Sequence, residues 1–276
     1  MKLINKIISF SIVLTFVGNL SAQELDWEKM LIEDVENINP VYMPVVGVGV
    51  GYLNYHGDIR NNYLTPLVGN MAMKVNVHAF IDQPKHFKFN LYTLFTIPGD
   101  NGTKMTVIQR NYSDPTKNFR FQTDILAFGV NAHYDFDHFI KKKYLFRPFI
   151  SAGVEFLTFS SKADLTNTNG QFYYWDDGTI RNLPQENETQ ASIVKPDGIY
   201  ETDLRTSSLN TTGQYNQYTL SVPVDVGIEY AISNRTSIRL GYSYHFNFTD
   251  NIDNVTPKNP IYGITDNRKF DNISYT

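Results

Sequence analysis

Between residues 218 and 232 every even-numbered position is apolar: Tyr218, Leu220, Val222, Val224, Val226, Ile228, Tyr230 and Ile232. Between them stand Thr219, Ser221, Pro223, Asp225, Gly227, Glu229 and Ala231. After a break at 233–235 the alternation resumes, with Ile238, Leu240, Tyr242, Tyr244, Phe246 and Phe248 set against Arg239, Gly241, Ser243, His245 and Asn247. Strand side chains alternate between faces with a period of two, so this stretch predicts a hairpin with one apolar and one polar face. Half-buried strands of soluble proteins usually keep such alternation for only about 4–8 residues. Here it runs longer, and the apolar face is rich in Tyr and Phe. That combination suits a strand between lipid and a polar lumen.

The same pattern recurs along the chain. Residues 42–55 point Val46, Val48, Val50 and Tyr52 outward and Gly47, Gly49 and Gly51 inward. Residues 70–80 place Met71, Met73, Val75, Val77 and Ala79 out, with Lys74, Asn76 and His78 in. In 86–97 the outward set is Phe87, Phe89, Leu91, Thr93 and Phe95, and the inward set Lys88, Asn90 and Tyr92. Strand 120–136 turns Leu126, Phe128, Val130, Ala132, Tyr134 and Phe136 out and Gly129, Asn131, His133 and Asp135 in. Strand 144–159 turns Phe146, Ile150, Ala152, Val154 and Phe156 out and Arg147, Ser151 and Glu155 in. Residues 269–276, in which Asn272 and Ser274 oppose Ile273 and Tyr275, make a last, short strand. Short turns at 82–85, 137–143 and 233–235 alternate strictly with long polar loops at 56–69, 98–119, 160–214 and 250–268. Bacterial outer-membrane barrels keep short turns in the periplasm and long loops outside. The expectation is an all-β, up-and-down antiparallel transmembrane barrel of about eight strands. An additional hairpin near 172–175 would raise that number.

Residues 1–22 read as a cleaved signal peptide, with Lys2 and Lys6 before an apolar run at 7–17 and a small residue, Ala22, for cleavage. The run is too short for a membrane-spanning helix, which takes about 20 apolar residues. Residues 23–40 form an acidic periplasmic lead-in whose Trp27, Met30, Leu31, Val35 and Ile38 recur at helical spacing, and 41–276 form the barrel. The last strand is short for the ~9–11 residues of a typical spanning strand. The expectation is therefore that the barrel is cut short at Thr276.

Composition refines this picture in three respects. The mean hydropathy of −0.31 does not argue against a barrel, because every second residue of its strands is polar. A net charge of −4 gives no reason to expect nucleic acid. The absence of cysteine excludes both a disulfide framework and a lipid-anchored amino terminus.

The inward positions carry Lys74, Lys88, Arg147 and Arg239 against Asp135, Glu155, Asp225 and Glu229. Buried charges are costly unless paired, and the interior of an eight-stranded barrel is just wide enough for side chains to fill. The balance predicts a structural ion-pair network rather than an open channel, with a gated ion path as the competing use of the same charges. An enzymatic reading would need His56, Asp58 and His245 to converge at the rim and activate water or a serine. Trp175-Asp-Asp-Gly and the stretch 250–254 cluster oxygens that could bind calcium, although turn chemistry explains such clusters as well. The Gly47-Val-Gly-Val-Gly run lacks the spacing and the following helix of a phosphate-binding loop. No cofactor is expected.

The chain resembles the N-terminal barrel of OmpA-type outer-membrane proteins of Bacteroidota. The resemblance rests on Val48-Gly-Val-Gly-Tyr-Leu-Asn-Tyr-His-Gly-Asp-Ile-Arg, Tyr174-Trp-Asp-Asp-Gly-Thr-Ile-Arg, Tyr200-Glu-Thr-Asp-Leu-Arg, Pro223-Val-Asp-Val-Gly-Ile and Leu240-Gly-Tyr-Ser-Tyr-His-Phe. It implies a non-enzymatic protein that supports envelope integrity, with surface loops for adhesion or receptor contact. A small porin or transporter is the alternative, and a barrel enzyme acting on lipid or peptide a further one. The implied partners are outer-membrane lipid and lipopolysaccharide, periplasmic chaperones and the barrel-insertion machinery. Peptidoglycan would be reached only through a further C-terminal region.

Overall fold

The computed structural model describes residues 44–59, 70–81, 86–97, 105–109, 119–136, 139, 146–167, 170–175, 177, 179–195, 197–207, 210, 213–232, 236–256 and 269–276. The signal segment, the acidic lead-in with its helical spacing, and the turns at 82–85 and 233–235 lie outside the described residues, as does most of 137–143.

Eight strands close a ring: β1 (Val45–His56), β2 (Asn70–Phe80), β3 (Phe87–Thr96), β4 (Phe119–Asp135), β5 (Phe146–Ala163), β6 (Tyr218–Ala231), β7 (Ser237–Asn247) and β8 (Asn272–Tyr275). Each pairs antiparallel with the next, and β8 pairs with β1. The fold is thus an all-β, up-and-down transmembrane barrel, and the hairpin suspected near 172–175 exists without joining the wall. Among the described residues, Tyr173–Tyr174 pairs only with Ile180–Arg181.

Outward side chains form the belt that the alternation predicts. Val48, Val50 and Leu240 are each more than two-thirds exposed, and Phe89, Leu91, Val154, Leu220 and Phe246 stand among them. An apolar band of this extent, shared by the outer faces of β1 to β7, is a surface for lipid rather than water.

At 17 and 18 residues, β4 and β5 exceed the ~9–11 that a tilted spanning strand needs. Along both, the pattern inverts at one level. On β4 the outward set passes from Leu126, Phe128 and Val130 to Arg120, Gln122 and Asp124, while the inward set passes from Asn131 and His133 to Phe121 and Ile125. On β5 the outward Phe156 gives way to Thr158, Ser160 and Lys162, and the inward Glu155 to Leu157 and Phe159. The register places Leu126 opposite Thr158, so the two inversions coincide. β1 changes likewise, from outward Val50 and Tyr52 to Asn54 and His56, and from inward glycines to Leu53 and Tyr55. Beyond this level the interior is an apolar core of Leu53, Leu94, Phe121, Ile125, Leu157 and Ile273.

The segment 98–119, expected to be a polar loop throughout, contains a strand, Met105–Gln109, that pairs with the projecting part of β4 and buries Met105 and Val107. Thr202–Asp203 covers the end of β5 in the same way. In β8 it is Ile273 and Tyr275 that enter the core, opposite Tyr55 and Leu53, leaving Asn272 and Ser274 on the face of His56 and Tyr244. Gly51 is required here, since a Cβ would lie 2.7 Å from the Tyr275 ring.

The belt and the inversion make unequal demands on the outer face. Val224→Arg, in mid-belt on β6, should cost about 2–4 kcal/mol, whereas Ser160→Arg, beyond the inversion on β5, should cost no more than about 1 kcal/mol. Urea titration of the protein folded into liposomes checks both values.

Candidate functional site

The polar half of the interior is built in tiers by strand parity. Nearest the short turns, the Lys88 ammonium lies 2.8 Å from Asp135 Oδ2 and 3.1 Å from Glu229 Oε2. Arg239 donates to the same Glu229 oxygen from Nη2 at 2.7 Å and from Nε at 3.2 Å. Its guanidinium lies 5.3 Å from the Phe149 ring, which stacks on His133, and His133 Nε2 meets Asp135 Oδ1 at 2.9 Å. His133, Asp135 and Glu229 have the mutual spacing of metal ligands. The Lys88 ammonium, however, already sits against both carboxylates, so the cation this triad needs is supplied by the chain.

One tier further in, Asn76 donates to Asn90 at 2.9 Å, Asn90 to Asn131 at 2.8 Å and Asn131 to Asp225 Oδ2 at 2.9 Å. Ser151 donates to that oxygen at 2.7 Å, and the Lys74 ammonium approaches it to 3.6 Å while lying 4.3 Å over the Tyr92 ring. The third tier is Glu155, which accepts from the Tyr92 hydroxyl at 2.6 Å and meets His245 Nδ1 at 2.7 Å. Tyr92 fits because position 129 is glycine: a Cβ there would come within 2.4 Å of the ring. Lys88, Asp135, Glu155 and His245 are each no more than 2% exposed. At such burial an unpaired charge is costly, and pairing with added hydrogen bonds is what makes these charges tolerable.

Of the sequence-derived set, Lys74, Lys88, Asp135, Asp225, Glu229 and Arg239 therefore meet in ion pairs. Glu155 joins through His245 and Tyr92. Arg147 stands opposite Glu229 on the β5–β6 ladder, half-buried, and enters no ion pair among the described residues. The asparagine chain and the Tyr92 hydroxyl were legible as inward positions, but neutral side chains do not appear in a count of charges.

His56, Asp58 and His245 do not converge. Parity puts His56 on the outer face, with Nε2 2.9 Å from Ser274 Oγ and its ring tilted on Tyr244, while His245 is inside on Glu155. Asp58 is buried near Asp253 instead.

The stretch 250–254 uses its oxygens to close a turn. Asp253 accepts from Val255 N at 2.8 Å and Ile59 N at 3.2 Å. Asp271 accepts from Ile252 N at 2.8 Å and from the Tyr55 hydroxyl. Asn254 takes the left-handed conformation, with φ 64°. In Trp175-Asp-Asp-Gly, Asp177 is bonded to Thr179 and to Arg181 at 3.0 Å, and the guanidinium of Arg181 lies 3.9 Å over the Trp175 ring. Asp176 and Gly178 lie outside the described residues.

Burial drives the carboxyl of Asp253 up to about 7 and that of Asp271 well above the carboxylate range, the latter reinforced by the negative charge of Asp253.

No family model and no curated protein matches the chain. Among solved structures it is similar to the crystal structure of Neisserial surface protein A, at 10% identity and a TM-score of 0.40 over 84% of this chain and 91% of that one.

Two outcomes are expected from these contacts. Lys88→Met leaves two buried carboxylates short of a cation and should cost about 3–5 kcal/mol in unfolding experiments, most of it regained when Asp135→Asn and Glu229→Gln are added. Asp253 binds its proton more tightly folded than unfolded. The stability it contributes is therefore full below the ordinary carboxylate range and is lost as pH rises through about 7. Asp253→Asn should flatten that slope in thermal melts between about pH 4 and 8.

Proposed function

We propose that the chain is a non-enzymatic, OmpA-like structural barrel of the Gram-negative outer membrane, with the short turns and the amino terminus in the periplasm. The observation that carries this reading is the filled interior. Charge-paired tiers occupy the half toward the short turns, and an apolar core occupies the half toward the long loops. A water-filled path would have to break buried ion pairs below and cross a buried apolar layer of Leu53, Leu94, Leu157 and Ile273 above. The separation of His56 from His245 favours the non-enzymatic assignment.

The structure built beyond the belt favours contact at the cell surface. The long loop between β5 and β6 carries its own short ladders and a stacked Trp175–Arg181 pair, which present fixed shapes rather than an unstructured fringe. Adhesion or receptor contact is the role we assign to these loops. Lipid and lipopolysaccharide would surround the belt, chaperones and insertion machinery would deliver the chain, and any tie to peptidoglycan would be made outside the barrel.

Planar-bilayer recording of the purified full chain tests the proposal. The expected result is no large, stable conductance. A steady ion-selective conductance that Lys88→Met or Glu229→Gln alters would replace the structural reading with that of a small porin.

A further inference from the structure

The loop between β5 and β6 contains a carboxylate cluster that lies apart from the lumen and from both stretches that the sequence marks for calcium. Asp164 directly follows β5, and Asp197 and Glu201 come from a distant part of the same loop. One carboxylate oxygen from each lies within 4.8 Å of one from both others. Asp164 is only 1% exposed, and its Oδ1 is buried without a hydrogen-bond partner among the described residues. Its Oδ2 accepts from Gly198 N at 2.9 Å, and Arg120 approaches that oxygen to only 3.9 Å. A buried carboxylate oxygen with no donor carries an uncompensated desolvation cost. One guanidinium at that distance does not balance three carboxylates.

We propose that Asp164, Asp197 and Glu201 form a calcium site that ties the start of this loop to its 197–201 segment. The donors are all hard oxygens, the set that calcium and magnesium prefer over transition metals. Two of the three are exposed and can accept the variable coordination, completed by water, that calcium tolerates and magnesium does not. Glu201 is fixed in advance: its Oε1 accepts from Thr166 N at 2.7 Å, from Thr166 Oγ1 at 2.6 Å and from Leu165 N at 3.3 Å. Asp197 Oδ1 is held by Ile199 N at 2.9 Å. The ion would neutralise the cluster from its exposed side and give the buried Asp164 carboxylate a positive partner. A dissociation constant of about 10⁻⁴–10⁻³ M is expected, as for other extracellular calcium modules.

The test uses the full chain folded in detergent micelles, with terbium as probe. Tyr200, which bonds to Arg120 and lies in the field of Asp164, is positioned to sensitise it. Saturable luminescence that calcium chloride displaces, weakened at least tenfold in both Asp164→Asn and Glu201→Gln and unchanged in Asp177→Asn, is the expected result. Calcium should also slow proteolysis of the loop in the wild type and in Asp177→Asn but not in Asp164→Asn or Glu201→Gln. Terbium binding that survives both substitutions, or no saturable binding competed by about 10 mM calcium, overturns the proposal. Glu201 is exposed, so Glu201→Gln decides between these outcomes even if Asp164→Asn does not fold; retention of heat-modifiable migration on gels identifies the folded variants.

Discussion

In the hydrocarbon of a bilayer an unpaired backbone N–H or C=O costs several kcal/mol, so a sheet placed there has to close on itself. Closure with eight strands leaves an interior that side chains fill. From that narrowness the remaining features follow. Charges that face inward have no bulk water and must find one another, which is why Lys88 reaches two carboxylates and Glu229 takes two cations. Large side chains need a neighbour to give way, and Gly129 does so for Tyr92.

The interior is not uniform. Ion pairs and amide chains occupy one half, and a core of soluble-protein character occupies the other. The second half is assembled from parts remote in sequence. Leu53 and Tyr55 come from β1, Phe121 and Ile125 from β4, Ile252 from the last long loop and Ile273 from β8. The two buried aspartates of that loop, Asp253 and Asp271, hold its backbone against this core through N–H groups of Ile59, Ile252 and Val255.

Alternation made the wall legible. Asn70–Phe80 coincides with its expected strand, and the inward faces of β3, β4 and β5 were readable one residue at a time. The charged members of the lumen other than Arg147 were readable for the same reason, since parity assigns a side and burial then demands a partner; Arg147, only half-buried, is not held to that demand. Three things were not readable. Met105–Gln109 is too short to show a period, and its pairing depends on how far β4 projects. The inward Phe121 and Ile125 sit on the face that the membrane part of β4 reserves for polar groups, so a single rule applied along the whole strand misreads them. The cluster of Asp164, Asp197 and Glu201 joins residues whose proximity is set by loop folding, which carries no periodic signal.

The inversion on β1, β4 and β5, in register on the last two, works like the waterline of a hull. Below it the wall is greasy outside and polar inside, and above it the two are exchanged. Sinking the barrel by one inward–outward repeat would press Asp124 and Ser160 into hydrocarbon, and raising it would set Phe128 and Phe156 in water. Either displacement is opposed on several strands at once. The protein's depth in the bilayer is thereby encoded in its own side chains, and the height at which the loops stand above the lipid is held constant from one molecule to the next.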